Sequence, residues 1–179
     1  MKQLLLFIII LIISINAYSQ GKSEMSNADI FLSQNGYLFE KQFIEIGKFK
    51  KVEVNDIIVK SINGDDNINS IRLSFDGVSK YSAKKTYYAS IDEDEIDDII
   101  IVLDYISKRL NEPFPQKYTE LIYKSRSGFS IFAYTKKRME NWQIGLQLDQ
   151  YEEYSLIYFL EPEIKEFKEI ILKAQSAFN

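Results

Sequence analysis

The stretch Ile91–Pro115, IDEDEIDDIIIVLDYISKRLNEPFP, decides the fold because the spacing of its apolar residues changes within it. Up to Ile91 the apolar residues alternate with polar ones, which is typical of a half-buried strand. After Ile91 they recur at the spacing of one helix face, at Ile96, Ile99, Leu103, Ile106 and Leu110. Pro113 ends the helix because proline lacks the backbone N–H and clashes with the preceding turn. The stretch therefore predicts a strand that passes directly into an amphipathic helix.

The start of this helix is predicted from its acidic residues. Ser90 and Glu93 have the spacing of a capping box, and acidic side chains are favoured in a first helical turn. Upstream, period-two alternation predicts four strands, with turns at 63–67 and at Asp76-Gly77. They are Tyr37–Ile46, Phe49–Val59, a run through Ile71, Leu73 and Phe75, and Thr86–Ile91.

The same order of elements follows downstream of Pro115. Four alternating runs precede a helix that begins near Pro162, and its apolar face is Ile164, Phe167, Ile171, Ala174 and Phe178. The runs are Tyr118–Lys124, Gly128–Thr135, Trp142–Leu148 and Tyr154–Leu160. Adding 68 to the residue number of each core position in the first helix gives the corresponding core position in the second. We therefore predict an α+β fold of antiparallel sheet with two covering helices, and a ββββα duplication with halves 36–111 and 116–179.

The N-terminus has the three parts of a cleavable export signal, and it resembles the signals of bacterial Sec-exported proteins. Lys2 precedes an apolar run of about 12 residues, whereas a membrane-spanning helix needs about 20. Small residues precede the expected cut between Ser19 and Gln20. We expect residues 1–19 to be removed, 20–35 to form a flexible leader with a helical turn near Ala28–Leu32, and 36–179 to form one globular domain in the periplasm or outside the cell.

Composition excludes several classes of site. The chain has no cysteine and no histidine, so it cannot form a disulfide, a lipoprotein anchor, a Ser-His or Cys-His nucleophile pair, or the usual zinc site. Without Lys2, 21 basic residues remain against 26 acidic ones, and the net charge falls from −4 to −5. No glycine-rich phosphate loop is present, and no cofactor is predicted. An acidic chain also disfavours polyanionic partners.

Two acidic segments have the composition of a calcium site. The first, at 92–98, is better explained as the solvated start of a helix, because consecutive helical residues point around the axis and cannot converge on one ion. The second comprises Asp65, Asn67, Asn69 and Asp76, but Ser70 stands where a calcium loop requires glycine. We therefore predict neither to be a metal site.

Basic and aromatic residues occur together at Lys84-Lys85 and at 136–138, with tyrosines nearby. Such surfaces can stack single-stranded nucleic acid. The order of elements is similar to that of the Whirly, PC4-like and Pur families of single-strand binders, although no motif residue matches. Export and net acidity oppose this function, so no nucleic-acid partner is expected.

The single tryptophan, Trp142, could serve as a platform for a sugar, but its phase with Ile144 and Leu146 favours a core position. Exposed tyrosines, with Tyr87 and Tyr151 as candidates, would offer a contact surface on the sheets. We expect a non-enzymatic binding or structural domain with a protein or glycan partner. The alternatives are a carboxylate-based hydrolase of glycan or peptidoglycan, which needs two acids facing each other across a cleft, and a single-strand binder.

Overall fold

The computed structural model describes residues 25–64, 66–136 and 141–178. The predicted signal, its cleavage site and Asp65 lie outside these residues. Helices α1, α2 and α3 span Asn27–Leu32, Ile96–Leu110 and Glu161–Ala177. The eight strands, β1 to β8 in chain order, are Phe39–Phe49, Val52–Ser61, Asn67–Val78, Lys84–Asp92, Glu120–Lys124, Ser130–Lys136, Asn141–Gln147 and Leu156–Phe159.

The strands form two antiparallel sheets of four, each in sequential order. Sheet 1 has the order β1-β2-β3-β4, and sheet 2 has the order β5-β6-β7-β8. This arrangement confirms the predicted α+β class and the two successive four-strand units. None of the helices in the described ranges is long and apolar enough to span a membrane.

One continuous core joins the inner faces of both sheets to α2 and α3. The predicted helix faces are confirmed, because the first four predicted positions of each helix are buried and Leu110 and Phe178 pack at the margin of the core. In the sheets the core side is set by alternation, as in β4, where Tyr87, Ala89 and Ile91 are all buried. The spacing of the apolar residues therefore predicts which side of these elements is buried.

The two helices are exchanged between the halves. Helix α3, which follows sheet 2, packs on β1 and β2 of sheet 1, and α2 contacts both α3 and β5. The ring of Phe49 in β1 lies 4.9 Å from that of Phe167 in α3 and 5.3 Å from that of Phe159 in β8. Lys173 Nζ of α3 donates to the carbonyl of Ile46 at 2.6 Å. Each half thus completes the core of the other.

Equivalent contacts at the start of each helix fit the proposed duplication. Glu95 accepts the backbone N–H of Asp92, and 68 residues later Glu163 accepts that of Leu160. Each glutamate also contacts a basic residue in the first hairpin of the other half. Glu95 accepts the backbone N–H of Arg126 at 2.8 Å, and Glu163 pairs with Lys50 at 2.6 Å.

Helix α1 covers part of sheet 1 on the side opposite the core. It packs on β3 and β4, with Ala28 buried, and Phe31 lies 5.1 Å from Phe39. Residues 27–32 therefore form the expected helix, but they are packed in place and are not a loose leader. No described helix packs on the corresponding side of sheet 2.

Two details of the predicted elements are wrong. Asp76-Gly77 is not a turn, because β3 continues through it and pairs Asp76 with Thr86 and Gly77 with Lys85. The hairpin turns later, where Ser82 has a positive φ. The capping box lies two residues further on than Ser90 and Glu93, because β4 extends to Asp92 and Glu95 accepts its N–H.

Candidate functional site

A polar and aromatic cleft lies where α2 ends, β7 begins and α3 begins. Its volume is about 460 Å³, within the range of small-ligand sites. The floor and rim contain one tryptophan, two glutamates and two amides among apolar side chains. The lining residues are Leu110, Glu112, Phe114, Asn141, Trp142, Gln143, Ile144, Phe159, Leu160 and Glu161.

Trp142 supplies a large aromatic surface that is only half-buried. Its ring packs against the core, as the phase of β7 predicted, and its centroid lies 6.5 Å from that of Phe114. The guanidinium of Arg109 lies 5.4 Å from the ring centroid. The indole Nε1 is buried and has no hydrogen-bond acceptor among the described residues. Burial without an acceptor costs this donor its hydration, so the surface that Trp142 offers to the cleft is its ring rather than its N–H.

The two glutamates reach the cleft from different halves of the chain. Glu112 follows α2, and its Oε2 lies 3.4 Å from Nη1 of Arg109. Glu161 begins α3, and its Oε1 accepts a hydrogen bond of 3.1 Å from Nδ2 of Asn111. The same amide group donates to the carbonyl of Ser107, which fixes Asn111 against α2. Both carboxylates are thus held in place by a side chain at the end of α2.

Gln143 connects the cleft to an aromatic patch on the uncovered side of sheet 2. Its Oε1 accepts from Lys136 Nζ at 2.8 Å, and its cross-strand partner is Tyr134. The ring of Phe132 lies 6.2 Å from that of Tyr134 and covers Gly145, where an added Cβ would come within 2.5 Å of the phenyl ring. A hydrogen bond between Tyr134 and Tyr158 raises the pKa of Tyr158. The rings of this patch, Phe132, Tyr134 and Tyr158, are therefore held by contacts with one another and with the backbone.

The acidic segment 92–98 forms a structural junction. Asp92 is buried and accepts the N–H of Asn27 at 2.8 Å, which ties α1 to β4. Arg126 Nε donates to the same carboxylate at 3.1 Å, and its guanidinium also binds Asp94 and lowers the pKa of that carboxyl. Asp92 and Glu95 are therefore buried, whereas the other acidic residues of this helix start are exposed, as predicted: Glu93, Asp94, Asp97 and Asp98.

The second acidic segment is an extended strand, because Asn67, Asn69 and Asp76 all lie in β3. No group of three or more acidic side chains in the described part of the chain is arranged to hold a metal ion.

The two tyrosines predicted as contact residues have different positions. Tyr87 is 1% exposed, packs against Phe75 in the core and donates its hydroxyl to the carbonyl of Val78. Its prediction as a surface residue is wrong, because it lies on the core side of β4 opposite Phe75. Tyr151 is 68% exposed in the loop before β8, and it does not line the cleft.

Two of the described basic residues bind different partners. Lys85 is ion-paired with Glu152, and Lys136 binds Gln143. Lys137 and Arg138 lie outside the described residues.

Glu112 and Glu161 were not predicted as site residues. They are 49 positions apart in sequence, and only the packing of α2 near α3 brings them to one cleft. The one available signal is that each directly precedes a proline at the boundary of a helix. A scan against models of protein families finds no match, and neither does a search of curated proteins. Function is therefore inferred from the chemistry of the cleft.

Proposed function

We propose that the chain is an exported, non-catalytic domain that binds a glycan in the Trp142 cleft. The observation that carries this proposal is the half-buried indole beside Glu112, Glu161, Asn141 and Gln143. A pyranose ring has C–H groups on its faces and hydroxyls around its edge. Aromatic surface suits the faces, and carboxylates and amides accept from or donate to the hydroxyls.

The charges of the cleft favour a neutral glycan. Two carboxylates face it, and Arg109 offsets only one of them at close range. Uronic acids and other anionic sugars would therefore be repelled, whereas neutral hydroxyls gain charge-assisted hydrogen bonds. Export, which the sequence of residues 1–19 predicts, would bring the domain into contact with envelope or extracellular glycans.

Trp142 is the only tryptophan of the chain, so its fluorescence is a direct probe of the cleft. We expect neutral oligosaccharides to shift this emission with saturation and to bind more tightly than uronic-acid oligomers. The changes Glu161→Gln and Glu112→Gln should each weaken binding roughly tenfold, because a hydrogen bond to a charged group contributes about 1.5–3 kcal/mol. Tyr81→Ala, in a turn and 86% exposed, is the control. The proposal fails if no neutral glycan in a broad panel binds, or if both variants bind like the control.

A carboxylate-based hydrolase is the second candidate, because two glutamates line the same cleft. Glycosidases use one such carboxyl group as the acid and the other as base or nucleophile. This reading requires chain cleavage of a bound glycan, measured by release of reducing ends, and loss of that release in either glutamine variant. Binding without release under all conditions leaves the non-catalytic function.

A further inference from the structure

Strand β1 forms an open edge of sheet 1 and is exposed along most of its length. Among the described strands its only neighbour is β2, and every residue from Glu40 to Glu45 is exposed. Apolar side chains are exposed on both of its faces, with Phe43 58% and Ile44 42% accessible. A long edge of this kind is a template for pairing with another strand unless it is protected.

The direction of the free backbone groups follows from one hydrogen bond at the start of the strand. The N–H of Ile62 donates to the carbonyl of Leu38 at 2.8 Å, so this pair belongs to the hydrogen-bonded set of the β1–β2 ladder. Antiparallel pairs alternate, so the groups of Glu40, Gln42 and Ile44 also face β2. The residues between them direct their N–H and C=O groups to the open edge, and these are Phe39, Lys41, Phe43 and Glu45.

We propose that β1 pairs with β1 of a second copy of this chain, antiparallel, about a two-fold axis at Phe43. In this register Phe43 lies opposite its own counterpart. Lys41 of each copy lies opposite Glu45 of the other, on the same face of the sheet. All of these residues belong to the set whose backbone groups face the edge, so each opposed pair exchanges two hydrogen bonds.

Charge complementarity selects a second copy in this register. An axis at Lys41 would oppose two lysines, and an axis at Glu45 would oppose two glutamates, which is unfavourable in directly opposite positions. Axes at Gln42 or Ile44 leave Lys41 and Glu45 without an opposite charge. Within the regular segment before the bulge, Phe39–Glu45, only the axis at Phe43 forms two ion pairs and an aromatic pair, as a self-complementary interface requires.

The pairing would join sheet 1 of two molecules into one continuous sheet. The β-bulge between Glu45 and Gly47, with the Lys173 contact at Ile46, limits the paired segment at one end. The interface is small, so the dimer is expected to be reversible and concentration-dependent. It lies on β1 and therefore does not depend on the glycan proposal.

Charge reversal tests both the partner and the register. The full chain, expressed with its own N-terminal segment, is measured by sedimentation equilibrium from about 1 µM to about 1 mM, which spans weak to moderate affinities. We expect a monomer–dimer equilibrium for the wild type. Lys41→Glu alone and Glu45→Lys alone should each raise the dimer Kd roughly tenfold or more, because two attractive pairs become repulsive.

The two single variants mixed together should dimerise like the wild type, and so should the double variant Lys41→Glu/Glu45→Lys. Lys165→Glu makes the same charge change at an exposed position of α3 and should leave the Kd unchanged. The proposal is overturned if the wild type remains monomeric up to the highest concentration, or if the single variants behave like Lys165→Glu. The proposal is also overturned if both single changes weaken dimerisation but the mixture of the two variants does not restore it. Lys41 of one copy would then not lie opposite Glu45 of the other.

Discussion

Asp56 places a carboxyl group on the core side of β2, where alternation would otherwise bring an aliphatic residue. Its cross-strand partners are Ile44 and Ile71, and its side chain is 1% exposed. Neither Oδ1 nor Oδ2 has a hydrogen-bond partner among the described residues. Burial raises the pKa of Asp56 to about 6 from 3.8. The native state therefore holds a proton on this group at pH values where the unfolded chain has released it.

This difference makes stability fall as the pH rises from about 4 to about 6, because the native state binds more protons across that window. The loss is roughly 3 kcal/mol, from about two pKa units at 1.36 kcal/mol each. We expect Asp56→Val to be more stable than the wild type at pH 7, with an advantage that shrinks towards pH 4. Urea unfolding at both pH values measures it. A stability difference that does not change with pH would contradict the assignment.

At the level of single residues, sequence predicts burial better than it predicts the site. The burial of Tyr87 follows from its alternation with Ala89 and Ile91 on one side of β4, and this pattern outweighs the general tendency of tyrosine to lie at the surface. The core contact of Trp142 follows in the same way from its alternation with Ile144 and Leu146 in β7. Glu112 and Glu161 could not be paired in this way, because their proximity depends on how two distant helix ends pack.

Among the elements, the two first hairpins are held to the opposite helices by ion pairs of different burial. Arg126 contacts Asp92 and Glu95, which are both buried, as well as Asp94. Among the described residues Lys50 forms an ion pair with Glu163 alone, and both of these side chains are partly exposed. The burial of the carboxylates decides how much the free energy of unfolding falls when the cation is removed, because a buried carboxylate cannot regain its hydration.

We expect Arg126→Met to lower the free energy of unfolding by roughly 2–4 kcal/mol, because it leaves two buried carboxylates without a cation. Lys50→Met, the matched change in the other hairpin, should cost less than about 1 kcal/mol. Guanidinium chloride would screen the charges, so unfolding in urea at low salt is the appropriate measurement. Equal costs for the two variants would show that the burial of Asp92 and Glu95 is not the deciding factor.

Element types were predictable because each has a distinct apolar period. The change of period after Ile91 located α2, and the offset of 68 located the equivalent positions of α3. Element ends were less predictable. Asp76-Gly77 has turn composition, but the ladder from β4 extends across it, since the pairing of neighbouring strands outweighs a local turn preference.

For the whole molecule, the fold class was predictable and the exchange of helices was not. A period shows that one face of α3 is apolar, but it does not show which sheet covers that face. Phe49 illustrates the point, because its partners Phe159 and Phe167 are more than 100 residues away in the chain. The predicted halves 36–111 and 116–179 are therefore units of sequence and not separately completed cores.

We expect the fragments 20–115 and 116–179 to be unfolded when each is alone, because each lacks a helix or sheet that covers its core. Mixed at equal concentrations, they should recover the circular dichroism and the cooperative unfolding of the intact chain. Each fragment alone, at the total concentration of the mixture, is the control. Cooperative unfolding of one fragment alone would contradict the expected dependence.

The exchanged helices also bear on the timing of folding during the export that residues 1–19 predict. A translocon delivers a polypeptide from its N-terminus, and domains normally acquire structure as they emerge. In that order the apolar face of α2 would emerge before β5, and sheet 1 would emerge before α3, which packs on β1 and β2. The core would thus be completed only when passage is almost finished, and sheet 1, which emerges first, would be exposed to a holding chaperone for longest.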